Sequence, residues 1–118
     1  MIALAIILAL FASPAFARPL DPGGSIDIYL NAIVYARGRH VIEGDCMSAC
    51  TMWLGYRWTC VRPDAELWFH AGSIPVATET MFAMYPPRVK RLVWPFMLSH
   101  HLVGVPGWQL IRLGVPRC

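Results

Sequence analysis

Gly44-Asp45-Cys46-Met47-Ser48-Ala49-Cys50 sets a small hydroxyl between two thiols. A β-branched run, His40-Val41-Ile42-Glu43, precedes it, and an apolar piece from Ala49 to Leu54 continues from it. The pattern predicts a short strand over His40 to Glu43, a turn at Gly44-Asp45, and a helix ending near Gly55. A strand-to-helix turn exposes its side chain and aims the first unbonded N–H groups of the helix at the same point. Such a corner can hold a serine nucleophile beside an oxyanion site. Serine is also a favoured helix N-cap, so these seven residues alone read as an ordinary cap too.

Beyond this stretch, Trp58 to Val61 regains strand character, Arg62-Pro63-Asp64 turns, and Glu66-Leu67-Trp68-Phe69-His70 is a second β-rich run. Strand, helix and strand at this spacing predict an α/β unit with a short, mainly parallel sheet and flanking helices. Upstream, Ile26, Tyr29, Leu30, Ile33 and Val34 form one apolar helix stripe. Ser25 suits its N-cap, Asp27 its first turn, and Gly38 its end. Downstream, Ala71 to Pro75 reads as loop and Thr78 to Tyr85 as a helix with Met81, Phe82 and Tyr85 on one face. Pro86-Pro87 breaks it, and Arg88 to Met97 is helical with a disturbance at Pro95. Gly104-Val105-Pro106-Gly107 separates that segment from a last short helix, Trp108 to Leu113, and a tail.

With 118 residues the chain holds one domain, and 57% hydrophobic against 14% charged residues excludes intrinsic disorder. Residues 2 to 12 are unbroken apolar, followed by Ser13-Pro14 and Ala15-Phe16-Ala17. The run is too short for a membrane span and fits a secretory h-region, with small residues at a cleavage site after Ala17. Residues 1–17 are therefore read as a signal peptide, or as an uncleaved anchor. Residues 18–24 are read as a linker and Pro-Gly-Gly turn, and residues 25–118 as the single domain. The expected location is the periplasm or beyond. A core of about 100 residues is near the small end for stability, and Cys46, Cys50, Cys60 and Cys118 read as two disulfides. The net charge of +3 is spread thinly. Arg88, Lys90 and Arg91 read as a solvated helix face, and no nucleic-acid partner is expected.

Three features can meet at one site. Gly23-Gly24 offers backbone N–H groups at a loop-to-helix transition, Ser48 sits at the turn, and His70 ends a strand 22 residues later. A Ser–His pair with backbone donors is the minimum for acyl transfer. The order Asp21-Pro22-Gly23-Gly24-Ser25, Gly44-x-Cys46-x-Ser48-Ala49-Cys50 and Phe69-His70 resembles the Clp-protease/crotonase superfamily. It looks most like the small exported bacterial proteins of that superfamily with a Cys-x-Ser-Ala-Cys signature. Tyr85-Pro86-x-x-Val89-x-x-Leu92 and the terminal Cys118 are similar too, less specifically. The resemblance implies a truncated, disulfide-stapled Clp/crotonase-like core with Ser48 as nucleophile and His70 as general base. It implies Gly24 and Ala49 as the oxyanion N–H donors, and a peptide or acyl substrate. The superfamily peptidase has an aspartate after its histidine; here only Glu79 follows His70, with Asp45 and Asp64 upstream.

No coenzyme A signature is present, and no cofactor is expected. Cys46, Cys50 and Cys60 with His100-His101 depart from usual zinc spacing, so no metal is expected either. Cys46–Cys50 would clamp the turn around Ser48 while Cys60–Cys118 tied down the tail. Cys50–Cys60 with Cys46–Cys118 is the alternative pairing. The expected activity is a peptidase-like serine hydrolase; the rival is a catalytically inactive binding domain on the same scaffold.

Overall fold

Three short strands, β1 (Leu20–Asp21), β3 (Asp45–Met47) and β5 (Glu66–Phe69), lie side by side and parallel in a computed structural model that describes residues 18–118. β6 (Val103–Pro106) closes the sheet antiparallel to β5, giving the order β1-β3-β5-β6. β2 (His40–Ile42) and β4 (Thr59–Val61) pair parallel in a separate two-stranded sheet. The chain is thus a small α/β fold with a mainly parallel sheet. The signal-peptide reading of residues 1–17 lies outside the described residues.

β5 shows why the sequence takes this form. Leu67 and Phe69 are fully buried while Glu66 and Trp68 alternate outward, the period of a strand with one face on the core. The core joins them to Cys46, Ala49, Met52, Val61, Met81, Val89, Val93 and Leu110. Helix α1 (Ile26–Tyr35) rests on this core through Ile26, Tyr29, Leu30 and Ile33, each only partly buried. The fifth member of its predicted stripe, Val34, is 72% exposed, because the helix meets the rest of the domain along one narrow line. α2 (Pro75–Ala83) starts three residues earlier than expected, with Pro75 in the first turn where its missing N–H costs nothing. α3 (Pro87–Val93) runs into a 3-10 turn, Trp94–Leu98, at the predicted disturbance around Pro95.

Four segments differ from their sequence reading. Leu20–Asp21, expected as linker, pairs with Asp45 and Cys46 of β3. Asp45 to Met47, expected as a turn, is the central strand β3. Ser48–Gly55 winds as a 3-10 helix, with Thr51 Oγ1 donating to the Ser48 carbonyl (2.6 Å). Val103–Pro106, expected as a separator, is edge strand β6, where Pro106 sits at the strand end. There Gly104 makes room for its neighbours, since a Cβ would lie 3.0 Å from the Trp68 ring.

The disulfides are Cys46–Cys50, a local clamp, and Cys60–Cys118, a long-range tie, the first of the two pairings considered. The second fastens the tail, which also bonds Val61 N–H to Pro116 O and Cys118 N–H to Val61 O. Paired cysteines belong to oxidising compartments outside the cytosol. No helix among the described residues is long and apolar enough to cross a membrane.

His40 stacks on Trp53 with ring centres 3.6 Å apart. Burial lowers its pKa from the usual 6.5, against a smaller upward pull from Asp21. Below about pH 6.5 the unfolded chain therefore takes up a proton that the folded chain refuses, and stability falls until the folded value is passed. Urea unfolding at pH 7.5 and 5.5 is expected to show a small loss at the lower pH. His40→Phe, which keeps the stack, is expected to reduce that loss.

Candidate active site

The parallel sheet brings Ser48 and His70 together at the carboxyl ends of its strands, where α/β folds place their sites, with Gly23 against Ser48. No contact of Gly24 with Ser48, Ala49 or His70 is seen. β1 leads into Pro22-Gly23-Gly24, β3 into Ser48, and β5 into His70. Because Met47 is level with Trp68 and Cys46 with Asp21, all three exits occupy one edge, with Ser48 in the middle.

Ser48 is the one non-glycine residue among those described with a positive φ, 55°. That left-handed conformation disfavours a side chain and marks a sharp corner. Its hydroxyl does not cap the helix that follows. It lies instead 2.7 Å from His70 Nε2. Cys46–Cys50 closes a five-residue ring around this corner, with both cysteines buried in the core. All four cysteines are committed to disulfides, so none is left to ligate a metal.

His70 is oriented by backbone. Its Nδ1 lies 3.2 Å from the carbonyl oxygen of His100, which can only accept. The ring proton is therefore on Nδ1, and Nε2 is left to receive the serine hydroxyl. Ala71 N–H donates to Ser99 O (2.7 Å), which holds the two segments in this register. No carboxylate reaches the imidazole among the described residues. Asp45 is taken by Arg18 Nε (3.1 Å) and Trp68 Nε1 (3.1 Å), and Asp64 pairs with Arg62. Glu79 lines an apolar hollow with Phe82 and Trp94.

On the other side of Ser48, Gly23 passes so close that a Cβ there would lie 2.5 Å from Met47 O, 2.9 Å from Ser48 Cβ and 3.1 Å from Ala49 N. Asp21 holds this turn by accepting from Gly23 N–H (3.0 Å) and from the Tyr29 hydroxyl. Burial first, and the Asp21 contact next, raise the Tyr29 pKa, keeping it a neutral donor. Neither Gly24 nor Ala49 donates its backbone N–H to another group among the described residues. A groove of about 380 Å³ runs from Gly24 between α1 and α2, past Ile26, Leu30, Ile74 and Val76.

Beneath Ser48, a buried chain of hydroxyls was not foreseen. Tyr85 OH lies 2.6 Å from Thr51 Oγ1, which in turn donates to the Ser48 carbonyl at 2.6 Å. Burial raises the Tyr85 pKa, outweighing the opposing effect of the Thr51 contact, so the phenol stays protonated. The Tyr85-Pro86 pair was visible as a motif, but its destination was not. The His100 carbonyl has no sequence signal, being a backbone atom. No family model, curated protein or solved structure matches the chain.

Proposed function

We propose that this chain is an exported serine hydrolase, peptidase-like, built on a Clp/crotonase-like core. The observation that carries the reading is the 2.7 Å approach of Ser48 Oγ to His70 Nε2. His70 Nε2 takes the hydroxyl proton as Ser48 Oγ attacks the acyl carbonyl, and returns it to the departing group. Ala49 N–H, next in the chain, and Gly24 N–H, delivered by the glycine turn, hold the oxyanion. The groove that starts at Gly24, though lined by neither Ser48 nor His70, offers apolar space to the remainder of a peptide or acyl substrate. The two disulfides support export to the periplasm or beyond, with residues 1–17 as the signal removed there.

A fluorophosphonate probe tests the reading. Folded wild-type protein is expected to be labelled at Ser48, Ser48→Ala not at all, and His70→Ala about 100- to 10,000-fold more slowly. Equal labelling of Ser48→Ala, or none of the folded wild type, overturns it. The absence of a carboxylate behind His70 favours one rival, a scaffold that binds without reacting. A ligand held equally by wild type, Ser48→Ala and His70→Ala would establish that rival.

A further inference from the structure

Tyr85 contacts a neighbour of each member of the Ser48–His70 pair, Thr51 on one side and Phe69 on the other. Its ring packs edge-on against Phe69, the residue before His70, with centres 5.3 Å apart. Its hydroxyl meets Thr51, whose own hydroxyl takes the Ser48 carbonyl. Thr51 and Tyr85 are 0% and 3% exposed, so the bond between their hydroxyls is shielded from water, while the Ser48 carbonyl end is only part-buried. The roles follow from the hydrogens. Thr51 has one proton and spends it on the Ser48 carbonyl, which can only accept, so Tyr85 must donate to Thr51.

The segment carrying Tyr85 is itself held. Its N–H bonds Phe82 O (3.1 Å), and Gly55 lies so close that a Cβ there would be 2.6 Å from Met84 O. Phe82 adds a second edge-on contact to the Tyr85 ring at 6.2 Å. The relay therefore runs from a fixed point to a corner whose φ of 55° needs support.

We propose that Thr51 and Tyr85 are positioning residues that set the Ser48 corner against His70. This role rests on the hydrolase reading, though the geometry it controls exists whether or not the site reacts. Thr51→Val removes the hydroxyl at nearly constant shape and strips partners from both the Ser48 carbonyl and the Tyr85 phenol. Thr51→Ser keeps the hydroxyl. Tyr85→Phe keeps the ring and removes only the outer bond.

Two readouts are compared in folded protein, well below each variant's melting temperature. One is fluorophosphonate labelling; the other is the 15N shift of His70 Nε2, which senses the Ser48 hydrogen bond. In Thr51→Val the limiting labelling rate is expected to fall about 10- to 100-fold, with the half-saturating probe concentration unchanged. The Nε2 shift is expected to move toward that of an unbonded imidazole. Thr51→Ser is expected to restore both, and Tyr85→Phe to lie between.

An Nε2 shift in Thr51→Val equal to wild type overturns the proposal, whatever happens to labelling. If wild type is not labelled but the shift moves in Thr51→Val and returns in Thr51→Ser, positioning stands and the hydrolase reading falls. Should Thr51→Val fail to fold, Tyr85→Phe decides by the same shift.

Discussion

Gly23→Ala is expected to destabilise the domain by about 2–4 kcal/mol, adding a left-handed backbone cost to overpacking. For a domain of this size that lowers Tm on the order of 10–30 °C. Gly23 has φ 79°, and the added methyl would press on Met47 O and Ser48 Cβ at 2.5 and 2.9 Å. Backbone on one side and the bridged corner on the other leave it nowhere to go. The Pro22-Gly23-Gly24 turn must back away, and Gly24 N–H leaves with it. Labelling of Ser48 is therefore expected to drop even at temperatures where the variant stays folded. Circular dichroism melts and probe kinetics check the two effects. An unchanged Tm would mean that the glycine turn does not press on the serine corner.

Loss of the Cys60–Cys118 bond is the second large effect. It links residues 58 apart, and in the loop-entropy model its removal costs about 4 kcal/mol. Without the covalent tie, the tail keeps only two backbone hydrogen bonds with Val61, through Pro116 and Cys118, and the packing of Val115. A Cys60→Ser/Cys118→Ser variant is expected to melt at least 10 °C lower. The comparison must leave Cys46–Cys50 intact, since reducing both bonds together mixes two effects. A double variant with the wild-type melting curve would show that the backbone pairing of the tail suffices.

The site was more legible than the sheet that builds it. Ser48 alone reads equally as a helix cap and His70 alone as an ordinary histidine, so the information lay in their combination with the glycine turn. The sheet rests on pieces too short for any periodicity to register. Leu20–Asp21 is two residues between prolines, and Val103–Pro106 contains a glycine and a proline that locally argue against a strand. Both become strands only because a distant partner supplies the hydrogen bonds. Asp45–Met47 was hidden for a different reason. Gly44 and Asp45 look like turn residues, yet Asp45 is held in the strand by Arg18 and Trp68. The 3-10 winding after Ser48 was likewise beyond reading, because the apolar run from Ala49 to Leu54 is too short to distinguish a 3-10 from an α repeat.

The ring formed by Cys46 and Cys50 divides the site mechanically. Five residues closed on themselves by a covalent bond have few conformations left, so the serine corner is the anvil of the site. The parts around it are tied by weaker means. His70 hangs on a carbonyl of the Ser99–His101 bend, and Gly24 lies just before the N-cap of a helix none of whose residues is fully buried. Any movement around the serine corner thus falls to α1 and to the bend before β6. In hydrogen exchange, those two segments should open well before Cys46 to Cys50 does.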